Sequence, residues 1–321
     1  MIEGYNNKIP LYNGKTKLTT TSTPGFIYFG AQYYGGIWNT NVFKFNQSSL
    51  IWQKAYNIGA TSGPGGTTID AICADSAGYV WIAASNRLVK YDTDGNALIY
   101  ATSSSISTME ADSQNNIVAL AGSIYKYDTN SNQIWSFATS SVSFNRLNFT
   151  TSGDIIASSG DGSLVKLNSS GVCLMYKYYA YTSIYSSCVD LNNNIWIGHQ
   201  AAGLGASNLR KHDSNGNLLA SYYIGPGGYS DIVWELTAGE SGYIYVSSNA
   251  WLYKVSATGS VIWSQNPGAP GNISGKCLVY KNGYVNMLSG GYPTFKSYNT
   301  SGTLSFDLDF EQATTINVQP I

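Results

Sequence analysis

One short phrase, an apolar residue or two, a lysine and then a turn, recurs seven times along the chain. The copies are VFKFN at Lys44, LVKYD at Lys90, IYKYD at Lys126, LVKLN at Lys166, LRKHD at Lys211, LYKVS at Lys254 and TFKSY at Lys296. Their spacings are 46, 36, 40, 45, 43 and 42 residues, and seven of the 17 basic residues occupy this one position. A period of this size means one small supersecondary unit written repeatedly, each copy burying its faces only against its neighbours.

The unit can be read strand by strand. A first strand meets a tight turn (ADSAG, ADSQNN, TTSGD, DLNNN, GESG or KNG), and an apolar second strand follows, as in YVWIAAS, NIVALAG and NIWIGH. The lysine strand is third. A further turn, such as DTDGN, DTNSN, NSSG or DSNGN, leads to a fourth strand ending near an aromatic: Trp52, Tyr100, Trp135, Tyr176, Trp263 or Phe306. Asp, Asn and Gly suit such turns because they accept positive φ or bond their own backbone. Four short strands in about 42 residues is the period of a propeller blade. The expectation is an all-β, seven-bladed β-propeller of four-stranded antiparallel blades over residues 17–312, preceded by an N-terminal segment, 1–16. Residues 313–321 (ATTINVQPI after Glu311-Gln312) read as a closing strand or tail, and an eighth, composite blade stays open.

Residues two apart in a strand share a face, so Lys90 is expected beside Asp92 and Lys126 beside Asp128, each ammonium meeting the carboxylate or neighbouring carbonyls while its stem covers apolar surface. A residue present in every blade serves the packing common to every blade, so the lysines read as scaffold. Cys73, Cys173, Cys188 and Cys277 form no CxxC pair and read as small buried hydrophobes.

Charged residues are 11% of the chain and the formal net charge is -1. That leaves no field to hold nucleic acid. Apolar runs are strand-sized, so no membrane insertion is expected. The segment MIEGYNNKIPLYNG lacks the cationic and apolar blocks of a signal peptide. Cytoplasmic synthesis is therefore expected: either the protein stays where it is made, or it leaves by another route to work in a virion or outside the cell.

The phrases NIWIGH at Asn194 to His199 and KYDTNSNQIW at Lys126 to Trp135 resemble the blades of seven-bladed propellers of the PQQ-like, streptogramin-lyase-like and two-component-regulator types. The likeness spans about residues 17 to 310. It implies the fold and not an activity. Streptogramin lyases imply histidines and a divalent metal at the channel mouth. Only His199 and His212 exist here, so that activity is not carried over.

In a propeller, second-to-third turns and blade connections share one face. Here those segments are long and irregular: 31–41 (AQYYGGIWNTN), 60–68 (ATSGPGGTT), 199–208, 222–231 (YYIGPGGYSD), 265–275 and 289–294. Irregular loops on a rigid scaffold are where binding resides. The candidate residues on that face are Tyr33, Tyr34, Trp38, Asp70, Glu110, Arg146, His199, Tyr229, Asp231, Trp234 and Tyr292. The acids and Arg146 lie on or just before first strands, as a polar funnel or as oxygen ligands for a calcium ion at the channel mouth; the plainer reading is that they satisfy one another. The aromatics suit sugar rings or a protein interface, or ordinary packing between blades.

No GxSxG, HExxH or EF-hand motif occurs, and no cofactor is expected. The expectation is a non-catalytic recognition or structural module binding a polysaccharide or a neighbouring structural protein, with a composition like that of phage tail-associated proteins. The alternative is a polysaccharide lyase or hydrolase at the channel mouth, using carboxylates such as Asp70 and Glu110.

Overall fold

The computed structural model describes residues 8–10, 17–20, 27–34, 38–45, 50–55, 69–84, 86–102, 105–138, 142–180, 183–201, 206–225, 231–248, 251–266, 278–281, 283–288 and 294–311. It is an all-β β-propeller of four-stranded antiparallel blades, with one short 3-10 turn at Glu240–Gly242. Among the described residues six sheets have four strands, each in simple up-and-down order, and the last sheet has five. The expectation of seven four-stranded blades is corrected to six, because the last sheet gains Lys8–Pro10. That strand lies parallel to the outer strand Leu304–Glu311. The added edge strand is thus N-terminal, while residues 313–321, read as a closing strand, lie outside the described residues.

Two compact units can be distinguished, residues 1–105 with 269–321, and residues 106–268. The second holds four consecutive blades, here the third to sixth, whose first strands are Thr108–Ala111, Phe144–Phe149, Ser186–Val189 and Val233–Ala238. Apolar residues of adjoining sheets meet in shared clusters. One joins Val118, Leu120 and Ile124 to Phe144, Leu147 and Val165; another joins Cys188, Trp196 and Leu209 to Val233, Leu236 and Val246. Alternation along the inner strands of these blades therefore serves two faces, both turned to a neighbouring sheet. No described helix is long and apolar enough to cross a membrane.

The repeated phrase acquires a physical meaning at the joint between blades. Lys44 Nζ donates to Thr93 O at 2.9 Å, Lys126 Nζ to Ser169 O at 3.1 Å and Lys211 Nζ to Ala257 O at 2.9 Å. Each acceptor is the second residue of the third turn in the following blade. Several of the lysines also meet an acid or a ring of their own blade: Lys126 sits 2.8 Å from Asp112 and Lys254 2.6 Å from Glu240, while Lys90 lies over the rings of Tyr79 and Trp81. Of the two kinds of partner expected, carbonyls are the ones taken, and they belong to the next blade; among the described residues no ion pair joins Lys90 to Asp92 or Lys126 to Asp128. Those aspartates close their own turns instead. Asp128 Oδ1 accepts the N–H groups of Asn130 and Asn132, and Asp92 Oδ1 those of Asp94 and Asn96. A carboxylate two bonds from its backbone reaches these amides with little loss of entropy, so the local turn claims it first.

The aromatic of the fourth strand completes the joint. Trp135 Nε1 donates to Ser169 O at 3.1 Å, and its ring covers Gly171 of the next blade. Tyr222 covers Gly259 in the same way. The tryptophan of IWIG is buried too, and Trp196 Nε1 donates to Asp190 Oδ2 at 3.0 Å, tying the second strand to the first turn.

Candidate functional site

Within residues 106–268, first strands can be aligned by counting back from the residue that opens the following turn. Four positions before it stand Thr108, Arg146, Ser186 and Glu235; two before it stand Glu110, Asn148, Cys188 and Thr237. The first row contains a connection that passes over a blade. Arg146 Nη2, on the fourth blade, lies 3.2 Å from Glu235 Oε2 on the sixth. Ser186, on the fifth blade between them, donates to Glu235 Oε1 at 3.2 Å and accepts from Leu236 N at 2.8 Å. Three first strands are thereby joined through one carboxylate. In the adjoining rows, Asn148 Nδ2 donates to Ser187 O and Oγ, both at 3.1 Å, and Ser187 Oγ meets Ser158 Oγ at 2.9 Å.

The strand backbone prepares this arrangement. Register slips between Phe144 and Arg146 and again between Val233 and Glu235, so Asn145 and Trp234 are the extra residues of two matched bulges. A bulge re-aims side chains and increases local twist. Here it turns the residue that follows, Arg146 or Glu235, into the shared ion pair. Trp234 meets the Tyr185 ring edge-on at 5.4 Å. Asn145 Oδ1, Arg146 Nε, Trp234 Nε1, Ser247 Oγ and Ser248 Oγ are buried and have no hydrogen-bond partner among the described residues. Ser247 stands opposite Glu235, and Ser248 opposite Val233. Most buried polar atoms in folded proteins are paired, so this concentration marks the strand entries.

Beside this row the fifth blade is latched to the sixth. His199 O accepts from Val233 N at 3.2 Å, and Ala201 N donates to Asp231 O at 2.9 Å. Asn208 Nδ2 donates to Ile224 O at 2.7 Å while its Oδ1 accepts from Ile224 N at 2.8 Å. His199 is buried, its Nδ1 is 2.9 Å from Gln200 O, and its Nε2 has no partner among the described residues. Burial lowers its pKa, which favours the neutral ring. Asp231 is buried and accepts a hydrogen bond from Tyr223 Oη.

Glu110 is half-buried by surface area but ringed by protein, and desolvation pushes its pKa up to about 8. No described residue hydrogen-bonds or ion-pairs with it. Asp70 immediately precedes a first strand, with its N–H donating to Ala83 O at 2.8 Å, and belongs to the other unit. Tyr33, Tyr34 and Trp38 are not loop residues: strands Ile27–Tyr34 and Trp38–Phe45 pair through to Tyr34 opposite Trp38. Alternating apolar residues continue the hairpin where the run of aromatics suggested a loop. Tyr229 and Tyr292 lie outside the described residues. Among the described residues no group of three or more His, Cys, Asp or Glu side chains gathers in a metal-holding arrangement.

The structure thus brings together Arg146, Trp234 and the neighbourhood of His199 and Asp231 on the fourth to sixth blades. Sequence reading placed Arg146 on a first strand and missed Asn145, Tyr185 and Ser186. Counting back from the turn would have found Ser186, since it shares the row of Arg146 and Glu235. No sequence pattern marks the bulges.

No family model matches this chain, and no curated protein matches it. Solved structures do match. A chain of "Crystal Structure of Mitotic Checkpoint Complex" is 10% identical, with 75% of this chain and 77% of that chain covered at a TM-score of 0.59. BamB from Moraxella catarrhalis is 13% identical, with 88% of each chain covered at a TM-score of 0.57. At such identities the likeness is one of fold, the β-propeller.

Proposed function

We propose that this chain is a non-catalytic recognition propeller, binding a protein or polysaccharide partner through the end at which the first strands of the fourth to sixth blades begin. The observation that carries the reading is the Arg146–Glu235 pair with its matched bulges, which places charge-compensated polar groups and the Tyr185–Trp234 rings at one strand end. Such a surface suits a neutral polar partner: the guanidinium and carboxylate cancel, and the aromatics add apolar contact. The turns at the opposite strand ends are closed by their own Asp and Asn side chains and offer less. One of the similar folds comes from an assembly, the mitotic checkpoint complex, which accords with a protein-binding use. Low charge and abundant Tyr, Asn, Ser, Thr and Gly accord with a virion- or cell-surface-associated protein, and the blade phrases with propellers of the PQQ-like and two-component-regulator types.

The test is a glycan array together with affinity capture using the whole chain, repeated with Glu235→Gln. Retention of a defined glycan or protein by the wild type, lost in the variant while circular dichroism shows it folded at the assay temperature, supports the reading. Retention of neither class by the wild type overturns it.

A second reading, a hydrolase or lyase, is favoured by Glu110. A carboxylic acid kept protonated near neutrality is what a general acid requires. Turnover of a polysaccharide that disappears in Glu110→Gln would replace the first reading with this one.

A further inference from the structure

The outer strand of a blade has one unpaired edge, and such edges are ordinarily guarded by charge. In the second to sixth blades they largely are not, whereas the first blade's outer strand carries Lys54 and the last sheet's carries Asp307, Asp309 and Glu311. Strands Ala97–Thr102, Gln133–Phe137, Leu218–Tyr222 and Val261–Gln265 contain no charged residue, and Cys173–Tyr178 contains only Lys177. At the sixth residue after the opening of the preceding turn stand Leu98, Ile134, Leu174, Leu219 and Ile262, each about half exposed.

The fourth blade carries this furthest. Leu174, Tyr176 and Tyr178 alternate along its outer strand and so share a face, with exposures of 53%, 47% and 61%. Met175 and Lys177 take the other face and close over Gly216 of the next blade, so that a Cβ added to Gly216 would meet Met175 Sδ at 2.7 Å and Lys177 Cγ at 3.0 Å. The strand's one charge therefore stands away from the apolar ladder. Cys173, a free and exposed thiol, begins the same strand.

We propose that the strand Cys173–Tyr178 is the centre of a homotypic interface, in which a second copy of the chain sets the same strand against it, edge to edge. The chain itself supplies the precedent: the outer edge of its last sheet accepts Lys8–Pro10 as a fifth strand. A two-fold axis brings two identical edges together antiparallel, the better-bonded pairing. Leu174, Tyr176 and Tyr178 of one copy then cover the same ladder of the other. A net charge of -1 leaves little repulsion between copies. The proposal is independent of the ligand-binding reading, since these residues lie on the outer strand and not at the first-strand entries.

The experiment is sedimentation equilibrium across a wide concentration range, with the full-length wild type and Leu174→Lys/Tyr178→Lys. Tyr176 is left in place because its hydroxyl meets Ser163 Oγ at 3.0 Å. The expected result is a wild-type dimer, with association weakened at least about tenfold in the variant at unchanged circular dichroism and melting temperature. A short bismaleimide should join two wild-type copies through Cys173 in a Cys277→Ser background, and should not join the variant. A wild type that stays monomeric at every concentration overturns the proposal. So does a dimer indifferent to the two lysines, or one broken instead by Ile134→Lys/Leu219→Lys alone.

Discussion

Arg146 on the fourth blade and Glu235 on the sixth, 89 positions apart, share an ion pair at 3.2 Å across the first strand of the fifth. Both side chains are largely removed from solvent, so removing one partner strands the other. Glu235→Ala is expected to destabilise the protein by about 2 kcal/mol, between the values for exposed and buried pairs. The double variant Arg146→Met/Glu235→Leu should lose less than the two single changes summed. Urea unfolding of the full double-mutant cycle measures this, and simple additivity would mean that the pair carries no coupling energy.

Glu110 is expected to make stability depend on pH through its own titration. Its folded pKa of about 8 exceeds the ordinary 4.5 because burial disfavours the carboxylate. The folded protein then holds a proton that the unfolded chain releases, so this contribution is complete below pH 4.5 and declines as pH rises toward about 8. Glu110→Gln stays neutral throughout. Its melting temperature should match the wild type near pH 4.5 and exceed it increasingly up to pH 8. Parallel melting curves over that range would refute the assignment.

His212 should act in the opposite sense. It is buried against the Tyr179 ring at 4.9 Å, and desolvation, assisted by Arg210, lowers its pKa from 6.5 to about 4. The unfolded chain takes up a proton first, so stability is full above pH 6.5 and is lost as pH falls toward 4. Corresponding positions in other blades hold Tyr91, Tyr127, Leu167 and Val255. His212→Leu should therefore flatten the acid limb between pH 6.5 and 4, as read by chemical denaturation at stepped pH. An unchanged slope would locate the acid sensitivity elsewhere.

The joint between blades can be weighed with two glycines of like backbone. Gly153 and Gly171 have φ of 84° and 81°. A Cβ on Gly153 meets nothing within 4 Å, whereas one on Gly171 would lie 2.7 Å from Trp135 Cδ2. Gly153→Ala should cost about 1 kcal/mol, the left-handed penalty alone. Gly171→Ala should cost about 1–3 kcal/mol more, because the indole must leave the turn it covers. Gly171→Ala/Trp135→Ala in urea should recover the part of that loss due to the clash.

Blades were readable before any coordinates because everything that defines one is local. A turn aspartate bonds amides two and four residues away, and alternation repeats every second residue, so strand, turn and repeat all fall within about 42 residues. The repeating lysine was recognisable as scaffold on the same grounds, yet its partner was not: Lys126 ends on Ser169 O, in the next blade, while the nearby Asp128 is taken by its own turn. The hairpin carrying Tyr33, Tyr34 and Trp38 was misjudged because aromatic residues serve strands and loops alike. Neither bulge could be foreseen, since a one-residue slip is set by how two strands meet and not by the composition of either. That slip is what turns Arg146 toward Glu235, so the connection over the fifth blade came into being only when sheets distant in the chain were packed together.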